Sequence, residues 1–154
     1  MHKFHKSLEK GKVGESLFLD YYKDRIKQLD GLRNDFQFVG SGDYVELKSD
    51  YYDMNRTENF FMERWSDVER HKAGGPWQAA TNGNTWYYYL FVKNGVMFQF
   101  QTLPLLCALK KLEKEYKLID IPNSRWLTQG YKIPRNRLKE LYKQINISNE
   151  IICQ

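Results

Sequence analysis

Apolar residues near the start of the chain have the spacing of a helix. From residue 7 to residue 29 they recur at intervals of three, four and eight, which places several of them on one stripe. Two glycines weaken the first half, so we expect the firm part of this helix to begin near Lys12 and to end before Asp30-Gly31. The predicted stripe contains Val13, Leu17, Phe18, Tyr21 and Leu29.

Alternating and aromatic-rich patterns predict strands in the next part of the chain. Residues 34–50 contain two apolar runs around a Gly-Ser-Gly-Asp turn, which is typical of a β-hairpin. An aromatic run at 56–66 predicts a further strand. The clearest pattern lies at 85–101, where two β-rich runs flank Asn94-Gly95, the pair favoured in type I′ hairpin turns.

With the remaining segments, the order of predicted helices and strands is that of an α/β or α+β fold. Residues 71–85 predict a loop with one helical turn, and Thr102 is expected to cap a helix. Residues 117–131 show no regular pattern, and Pro134 is expected to open a last helix. A helix, three strands, a loop, two strands and two helices then form one domain over residues 1–154.

Composition narrows the functional classes only moderately. A chain of 154 residues with 42% hydrophobic residues is long enough to bury a core. The net charge of +5 permits a nucleic-acid partner without requiring one. Cys107 and Cys153 lie far apart without a Cys-x-x-Cys pattern, which argues against a zinc site and favours a reducing compartment. With no apolar run of membrane-spanning length, we expect a soluble, cytoplasmic protein.

The first hairpin has the side chains that a metal site needs. A turn centred on Ser41-Gly42 would place Asp35 opposite Lys48 and would gather four polar residues on one face, because alternate strand residues share a face. These four are Asp35, Gln37, Glu46 and Lys48, and the other face carries Phe36, Phe38, Val45 and Leu47. Side chains ~5 to ~7 Å apart across two strands can share a cation. Carboxylates suit Mg²⁺, and a lysine beside them can neutralise charge on a phosphate.

The plain alternative is a surface ion pair on a solvated strand. Glutamate and lysine are common residues, so the spacing Glu-x-Lys also arises by chance. A second example, Glu115-Tyr116-Lys117, lies in a helical pattern, where residues two apart do not share a face. The spacing of Glu46 and Lys48 alone therefore leaves a metal site and an ion pair both open.

Together with their neighbours, these residues resemble the signature of the PD-(D/E)XK nuclease superfamily. That signature is an acidic residue at the start of a strand, a short spacer, and then Asp or Glu, any residue and Lys on the next strand, as at Asp35 and Glu46-Leu47-Lys48. Glu15 is similar to the glutamate that many members carry on the first helix. The resemblance covers residues 14–92 and is closest to small phage-type endonucleases, including junction-resolving enzymes.

The resemblance implies a restriction-endonuclease-like core, in which helices flank a central mixed sheet. It also implies a Mg²⁺- or Mn²⁺-dependent DNA endonuclease acting on branched or junction DNA in a phage or bacterial host. Asp35, Glu46 and Glu15 would be metal ligands, Lys48 a further catalytic residue, and Glu63 an auxiliary acidic residue. A homodimer would supply two sites for paired cuts.

Further candidates are weaker, and other functions stay open. Gln78 is an auxiliary candidate, because a loop glutamine can contact a phosphate or a metal-bound water. Asp43 and Asp50 are less favoured, because turns select aspartate for backbone reasons. The basic residues predicted to bind DNA are Lys12, Lys72, Arg125, Lys132 and Arg135. The alternatives are an exonuclease or restriction-type nuclease of the same fold, or a non-catalytic nucleic-acid-binding module.

Overall fold

The structure is a computed structural model that describes residues 2–122 and 125–147, with side chains from residue 12 onward. Its helices are α1 (His2–Tyr22), α2 (Gly75–Thr81) and α3 (Thr102–Leu112). Its strands are β1 (Ile26–Gln28), β2 (Phe36–Phe38), β3 (Tyr44–Asp50), β4 (Asn59–Asp67), β5 (Lys72–Ala73), β6 (Trp86–Phe91), β7 (Val96–Gln101), β8 (Ile119–Pro122), β9 (Leu127–Pro134) and β10 (Tyr142–Asn146). Short 3₁₀ turns connect several of them.

The strands form two sheets, which makes the protein a mixed α+β fold. The larger sheet has six strands in the order β1-β2-β3-β6-β7-β10, and it is mixed because β3 and β6 run parallel while the other pairs are antiparallel. The smaller sheet has the order β5-β4-β9-β8 and is antiparallel. A parallel pair needs a long connection, and here that connection contains β4, β5 and α2.

Alternate residues of β6 pack into two separate hydrophobic clusters, so the six-stranded sheet is the central layer. Tyr88 and Leu90 belong to the cluster with Phe18 of α1. Tyr87 and Tyr89 belong to the other cluster, which contains residues of the second sheet, α2 and α3. All four β6 side chains are buried, which is why this aromatic run gave so clear a strand pattern.

The first hairpin forms with the predicted faces but with a different register. Phe36 lies opposite Val45 and Gln37 lies opposite Tyr44, so the turn is centred one residue earlier than predicted and each partner shifts by two residues. The physical reason is a four-residue loop that ends with Gly42 in the left-handed region, at a φ of 76°. A shift of two residues preserves the faces, and Phe36 and Val45 pack together under α1.

The predicted first helix ends earlier than expected, and a strand replaces its last part. Helix α1 ends at Tyr22, Lys23 adopts a left-handed φ of 52°, and β1 then pairs with β2. The guanidinium of Arg25 donates to the backbone carbonyls of Tyr21 and Tyr22, which satisfies the helix end. The predicted stripe was therefore wrong beyond Tyr22, and Val13 on it is 51% exposed.

The C-terminal part differs most from the sequence prediction. The segment expected to be irregular contains β8 and most of β9, and β9 pairs with β8 on one side and with β4 on the other. The helix expected after Pro134 is only a 3₁₀ turn at Arg135–Leu138, followed by β10. Tertiary pairing with β7 and burial of Ile145 explain why strand geometry overrides the local helical pattern here.

Other predicted elements are present with small changes. The strand predicted at 56–66 is β4, and the predicted loop at 71–85 contains α2 and β5. The β6–β7 connection is a 3₁₀ turn closed by Gly95 at a φ of 62° rather than a type I′ turn. Thr102 is the first residue of α3, and Gln101 takes the N-cap position. Within the described residues, no helix combines the length and apolar character that crossing a membrane requires.

Candidate active site

Glu46 and Lys48 point toward the second sheet. In the parallel pair, Glu46 lies beside Tyr87 and Lys48 beside Tyr89, and both tyrosines pack into the cluster between the sheets. Leu47 has the opposite parity and packs under α1 with Tyr88. The Glu-x-Lys spacing therefore projects one carboxylate and one ammonium into the space between the two sheets.

Asp35 is fixed at the start of β2 beside these residues. Its backbone N–H donates to the carbonyl of Val45, and its Oδ2 accepts a hydrogen bond of 2.8 Å from the N–H of Leu47. Burial raises the pKa of Asp35 to about 6, the Leu47 hydrogen bond opposes this rise, and the charge of Glu15 adds to it. One carboxylate oxygen is thus bound to the backbone, which orients the side chain between β2 and β3.

Glu46 occupies the most unfavourable position for a carboxylate in this group. The pKa of Glu46 is raised to about 8, first by burial and then by the negative charges of Asp35 and Glu63. No hydrogen bond to the Glu46 carboxylate occurs within the described residues. Carboxylates from three different segments therefore come near one another, and two of them, Asp35 and Glu63, disfavour the ionised form of Glu46.

Glu63 reaches this space because two glycines leave room for it. A Cβ atom at Gly74 would lie 2.5 Å from Oε2 of Glu63. At Gly75, whose φ is 48°, a Cβ atom would lie 2.5 Å from the backbone carbonyl oxygen of Glu63. The approach at Gly75 is to backbone and does not tolerate a side chain, whereas a side chain at Gly74 would displace the Glu63 carboxylate. The Gly-Gly pair at the start of α2 therefore leaves the room that Glu63 occupies.

Glu15 approaches from α1, which covers the opposite face of the sheet. The helix touches β3 closely, because a Cβ atom at Gly14 would lie 2.1 Å from the hydroxyl of Ser49. Gln28 of β1 donates a hydrogen bond of 2.9 Å to Glu15. Glu15 thus lies beside the edge strand β1, and its negative charge raises the pKa of Asp35. The pKa of Glu46 is raised, after burial, by the charges of Asp35 and Glu63.

The group suits a hard cation held by few protein ligands. Within residues 2–122 and 125–147, no three His, Cys, Asp or Glu side chains converge closely enough to ligate one ion together. Asp35 and Glu46 are nevertheless adjacent, partly buried and mutually repelling. Magnesium is typically bound through one or two carboxylates and several waters, which matches such a pair. The wider ligand set that includes Glu15 stays a prediction.

A cleft lies directly beside this group. It has a volume of about 800 Å³ and runs between the end of β3 and the second sheet. Lys48 and Glu63 line it, together with Lys132 of β9. A substrate in the cleft would therefore contact the lysine of the Glu-x-Lys pair and one of the clustered carboxylates.

The other predicted site residues are spread over the surface. Gln78 donates to the side chain of Asn82, one turn later, and lies on α2 beside β4. Lys12 on α1, Lys72 on β5 and Arg125 between β8 and β9 are all exposed. Arg135 instead donates to the carbonyl of Thr57 at 2.8 Å and lies over the ring of Phe91, which gives it a structural use. Only Lys132 of the predicted DNA-binding residues lines the cleft.

Sequence reasoning missed an amide cluster that supports Asp35. The side-chain N–H groups of Asn34 donate to the carbonyl of Asn82 and to Oδ1 of Asn84, at 3.1 and 2.9 Å. Asn84 is buried and donates in turn to the carbonyl of Arg33. The cluster ties the start of β2 to the loop after α2. Its only sequence signal was an asparagine directly before the key aspartate.

The two weaker aspartates have structural partners. Asp43 accepts a hydrogen bond of 3.2 Å from the indole N–H of Trp86. Asp50 accepts a short hydrogen bond from the hydroxyl of Tyr89 and a second from the N–H of Tyr52. These contacts agree with the preference for Asp35 over Asp43 and Asp50 as a site residue.

Comparison with known proteins adds no family assignment. The chain matches no protein-family model, and no curated protein matches it either. The functional interpretation therefore depends on the geometry of the site and on the resemblance carried by Asp35, Glu46 and Lys48.

Proposed function

We propose that this protein is a Mg²⁺-dependent DNA endonuclease that prefers branched DNA. The observation that carries the proposal is the meeting of Asp35, directly before β2, with Glu46 on β3, where burial raises the pKa values of both carboxyls and the charge of Asp35 adds to the rise at Glu46. Perturbed carboxyls at the border of a cleft are typical of catalytic and metal-binding sites. The lysine two residues after Glu46 lines that cleft.

Each residue has a distinct part in the proposed hydrolysis. Asp35 and Glu46 would hold the cation, and Leu47 keeps Asp35 oriented through its backbone N–H. A bound Mg²⁺ would supply a more acidic water and would stabilise negative charge on the phosphate. Lys48 would donate to a phosphate oxygen from the cleft, and Glu63 would accept a hydrogen bond from a water molecule beside the ion.

The order of elements supports the resemblance to the nuclease core. Helix α1, the antiparallel strands β1-β2-β3, helix α2 and strand β6 follow in that order, with β4 and β5 inserted. The sequence predicted the hairpin and β4 as these three strands, but β1 takes the place of β4 in the six-stranded sheet. A helix, three antiparallel strands, a helix and a further strand resemble the core order of the PD-(D/E)XK superfamily. A homodimer with two such sites remains part of the proposal, since paired cuts need two active sites.

A non-catalytic DNA-binding module is the second candidate, and the carboxylate group counts against it. Phosphate groups are repelled by Asp35, Glu46 and Glu63 unless a cation lies between them. A module that only binds DNA gains nothing from burying two mutually repelling carboxyls, which lowers its stability at neutral pH. The geometry is therefore better explained by hydrolysis.

A digestion panel tests the proposed function. The wild type is incubated with linear duplex, single-stranded, nicked, flapped and four-way DNA in Mg²⁺, in Ca²⁺ and in excess chelator. We expect cleavage in Mg²⁺, fastest on branched substrates, little in Ca²⁺ and none in chelator. Glu46→Gln should be inactive on every substrate, whereas Glu69→Gln, at an exposed position outside the site, should cleave like the wild type. Cleavage that persists in chelator would exclude the metal mechanism.

A further inference from the structure

The cleft beside Lys48 contains two exposed apolar side chains that the proposed hydrolysis does not use. Tyr52 is 58% exposed and Ile121 is 40% exposed, and both line the cleft. Tyr52 lies two residues after the end of β3, and Ile121 belongs to β8 at the edge of the second sheet. An aromatic ring left open to solvent within a cleft suits a ligand with a flat apolar face.

The Tyr52 backbone is held in place before any ligand binds. Its N–H donates to Oδ1 of Asp50 at 2.9 Å, and Oδ2 of Asp50 accepts from the hydroxyl of Tyr89. Tyr89 is fully buried, and its hydroxyl also accepts from the N–H of Phe61 on β4. The position of Tyr52 is therefore fixed relative to both walls of the cleft, although its ring is exposed.

Three cations line the same cleft. Arg56 lies beyond Tyr52, Lys132 lies on the opposite wall, and Lys48 lies beside the carboxylate group. None of the three forms an ion pair with a carboxylate of the described residues. Unpaired cations next to an exposed aromatic ring are the elements that recognise a nucleotide, because they match its phosphate and its base.

The size of the cleft favours a single strand over a duplex. A volume of about 800 Å³ lies in the range of clefts that enclose a small ligand. A base within a duplex has both faces covered by its neighbours, so its ring is not available for stacking on a side chain. Only an unstacked base, as at a branch, a flap or a frayed end, can present its face to a tyrosine.

We propose that the cleft binds one unpaired nucleotide of the DNA substrate, with its base stacked on Tyr52 and its phosphates near Arg56 and Lys132. This inference rests on the proposed function and deepens it, because it names the feature by which branched DNA is selected. Stacking does not depend on the identity of the base, so the site prefers unpaired DNA without reading sequence.

Binding measurements on matched tyrosine variants test the inference. The affinities of the wild type, Tyr52→Ala, Tyr52→Phe and Tyr44→Ala are measured by fluorescence anisotropy for a labelled single strand and for a duplex of the same sequence, both in Ca²⁺ and in chelator. We expect Tyr52→Ala to weaken single-strand binding about tenfold and to leave duplex binding within about twofold. Tyr52→Phe keeps the ring and should bind like the wild type. Tyr44, at 39% exposure on β3 but outside the cleft, is the control.

The possible results separate this inference from the proposed function. Single-strand affinity unchanged in Tyr52→Ala, or equally weakened for both substrates, overturns the inference even if the wild type cleaves DNA in Mg²⁺. A single-strand-specific loss supports it even if the wild type shows no cleavage, in which case the proposed hydrolysis fails alone. Thermal unfolding of each variant checks that all of them are equally folded. We expect this for the Tyr52 variants, because the ring of Tyr52 is exposed.

Discussion

The two hairpins of the six-stranded sheet differ in the side chains that their strands bring together. The β6–β7 hairpin pairs over six positions, and nearly all its side chains are buried in one of the two clusters. The β2–β3 hairpin pairs at only two positions and then brings Asp35 beside Glu46. The β6–β7 hairpin gains stability at each pair, whereas the β2–β3 hairpin places like charges together.

The same contrast separates two polar groups on the central strands. The pKa of the Tyr88 hydroxyl is raised to about 12 by burial, and this hydroxyl has Tyr22 and Gln99 as hydrogen-bond partners. Glu46, one strand away, has neighbouring carboxylates instead. A buried polar group with partners stabilises a fold, and one surrounded by like charge indicates a site that a ligand completes.

Removing an aromatic ring from the β6–β7 hairpin should have the largest effect on stability. Phe98 is buried and packs edge-on against Phe60 and Tyr142, with centroid distances of 4.9 and 4.8 Å. We expect Phe98→Ala to lower the free energy of unfolding by about 3–5 kcal/mol in urea denaturation. Activity per folded molecule should stay near the wild-type value. A large loss of activity at full folding would show that the two hairpins are not functionally separate.

Removing a charge from the β2–β3 hairpin should instead lower activity. We expect Asp35→Asn to lower the cleavage rate in Mg²⁺ by roughly a hundredfold or more, because the proposed cation would lose one of its two carboxylate ligands. Asp43→Asn, which alters a carboxylate bonded to Trp86, should keep most of the activity. An inactive Asp43→Asn beside an active Asp35→Asn would refute the assignment of the site.

The burial of Asp35 and Glu46, together with the charge that Asp35 places beside Glu46, should appear as a pH dependence of stability. The folded protein raises the pKa of Asp35 from 3.8 to about 6 and that of Glu46 from 4.5 to about 8, so between these values it binds more protons than the unfolded chain. Stability contributed by these groups is therefore present below about pH 4 and is lost as the pH rises toward 8. In chelator, we expect the melting temperature of the wild type to fall between pH 5 and pH 8 by on the order of 5 °C more than that of Glu46→Gln. Equal slopes for the two proteins would contradict this account, and Mg²⁺ should reduce the fall.

The smallest effect should come from the amide cluster behind Asp35. Asn34→Ala removes the hydrogen bonds to Asn82 and Asn84 without touching the carboxylates. We expect the Mg²⁺ concentration for half-maximal cleavage to rise roughly tenfold, because the partner that orients a ligand is lost. Asn55→Ala, at an exposed turn position, is the control. An unchanged Mg²⁺ requirement in Asn34→Ala would assign the cluster a purely structural role.

Local patterns predicted the parts of the fold that depend on neighbouring residues. Alternation placed Phe36 and Val45 on the buried face of the first hairpin, and the aromatic runs located β6 and β7. The register of the first hairpin did not follow from this pattern, because loops centred one residue apart give the same alternation in both strands.

The parts that were missed depend on contacts between distant segments. β9 forms because Tyr131 and Ile133 pack with residues of β4, about seventy positions earlier, and no local pattern records that partner. The helix-like tail becomes β10 because β7 offers a free edge. For the site, alternation predicted the shared face of Glu46 and Lys48, but the glycine cradle of Glu63 and the amide cluster at Asn34 require the folded structure.

The parallel pairing of β3 with β6 has a consequence for the order of folding. Residues 51–85 connect these strands, and this connection carries Glu63, Gly74 and Gly75. Strand pairs closed across such long loops form slowly, because the loop entropy is lost before the contacts form. The β2–β3 hairpin can form early and bring Asp35 near Glu46, but Glu63 joins them only when the crossover closes. The cleft is therefore among the last features to form, and recovery of cleavage during refolding would report completion of the crossover.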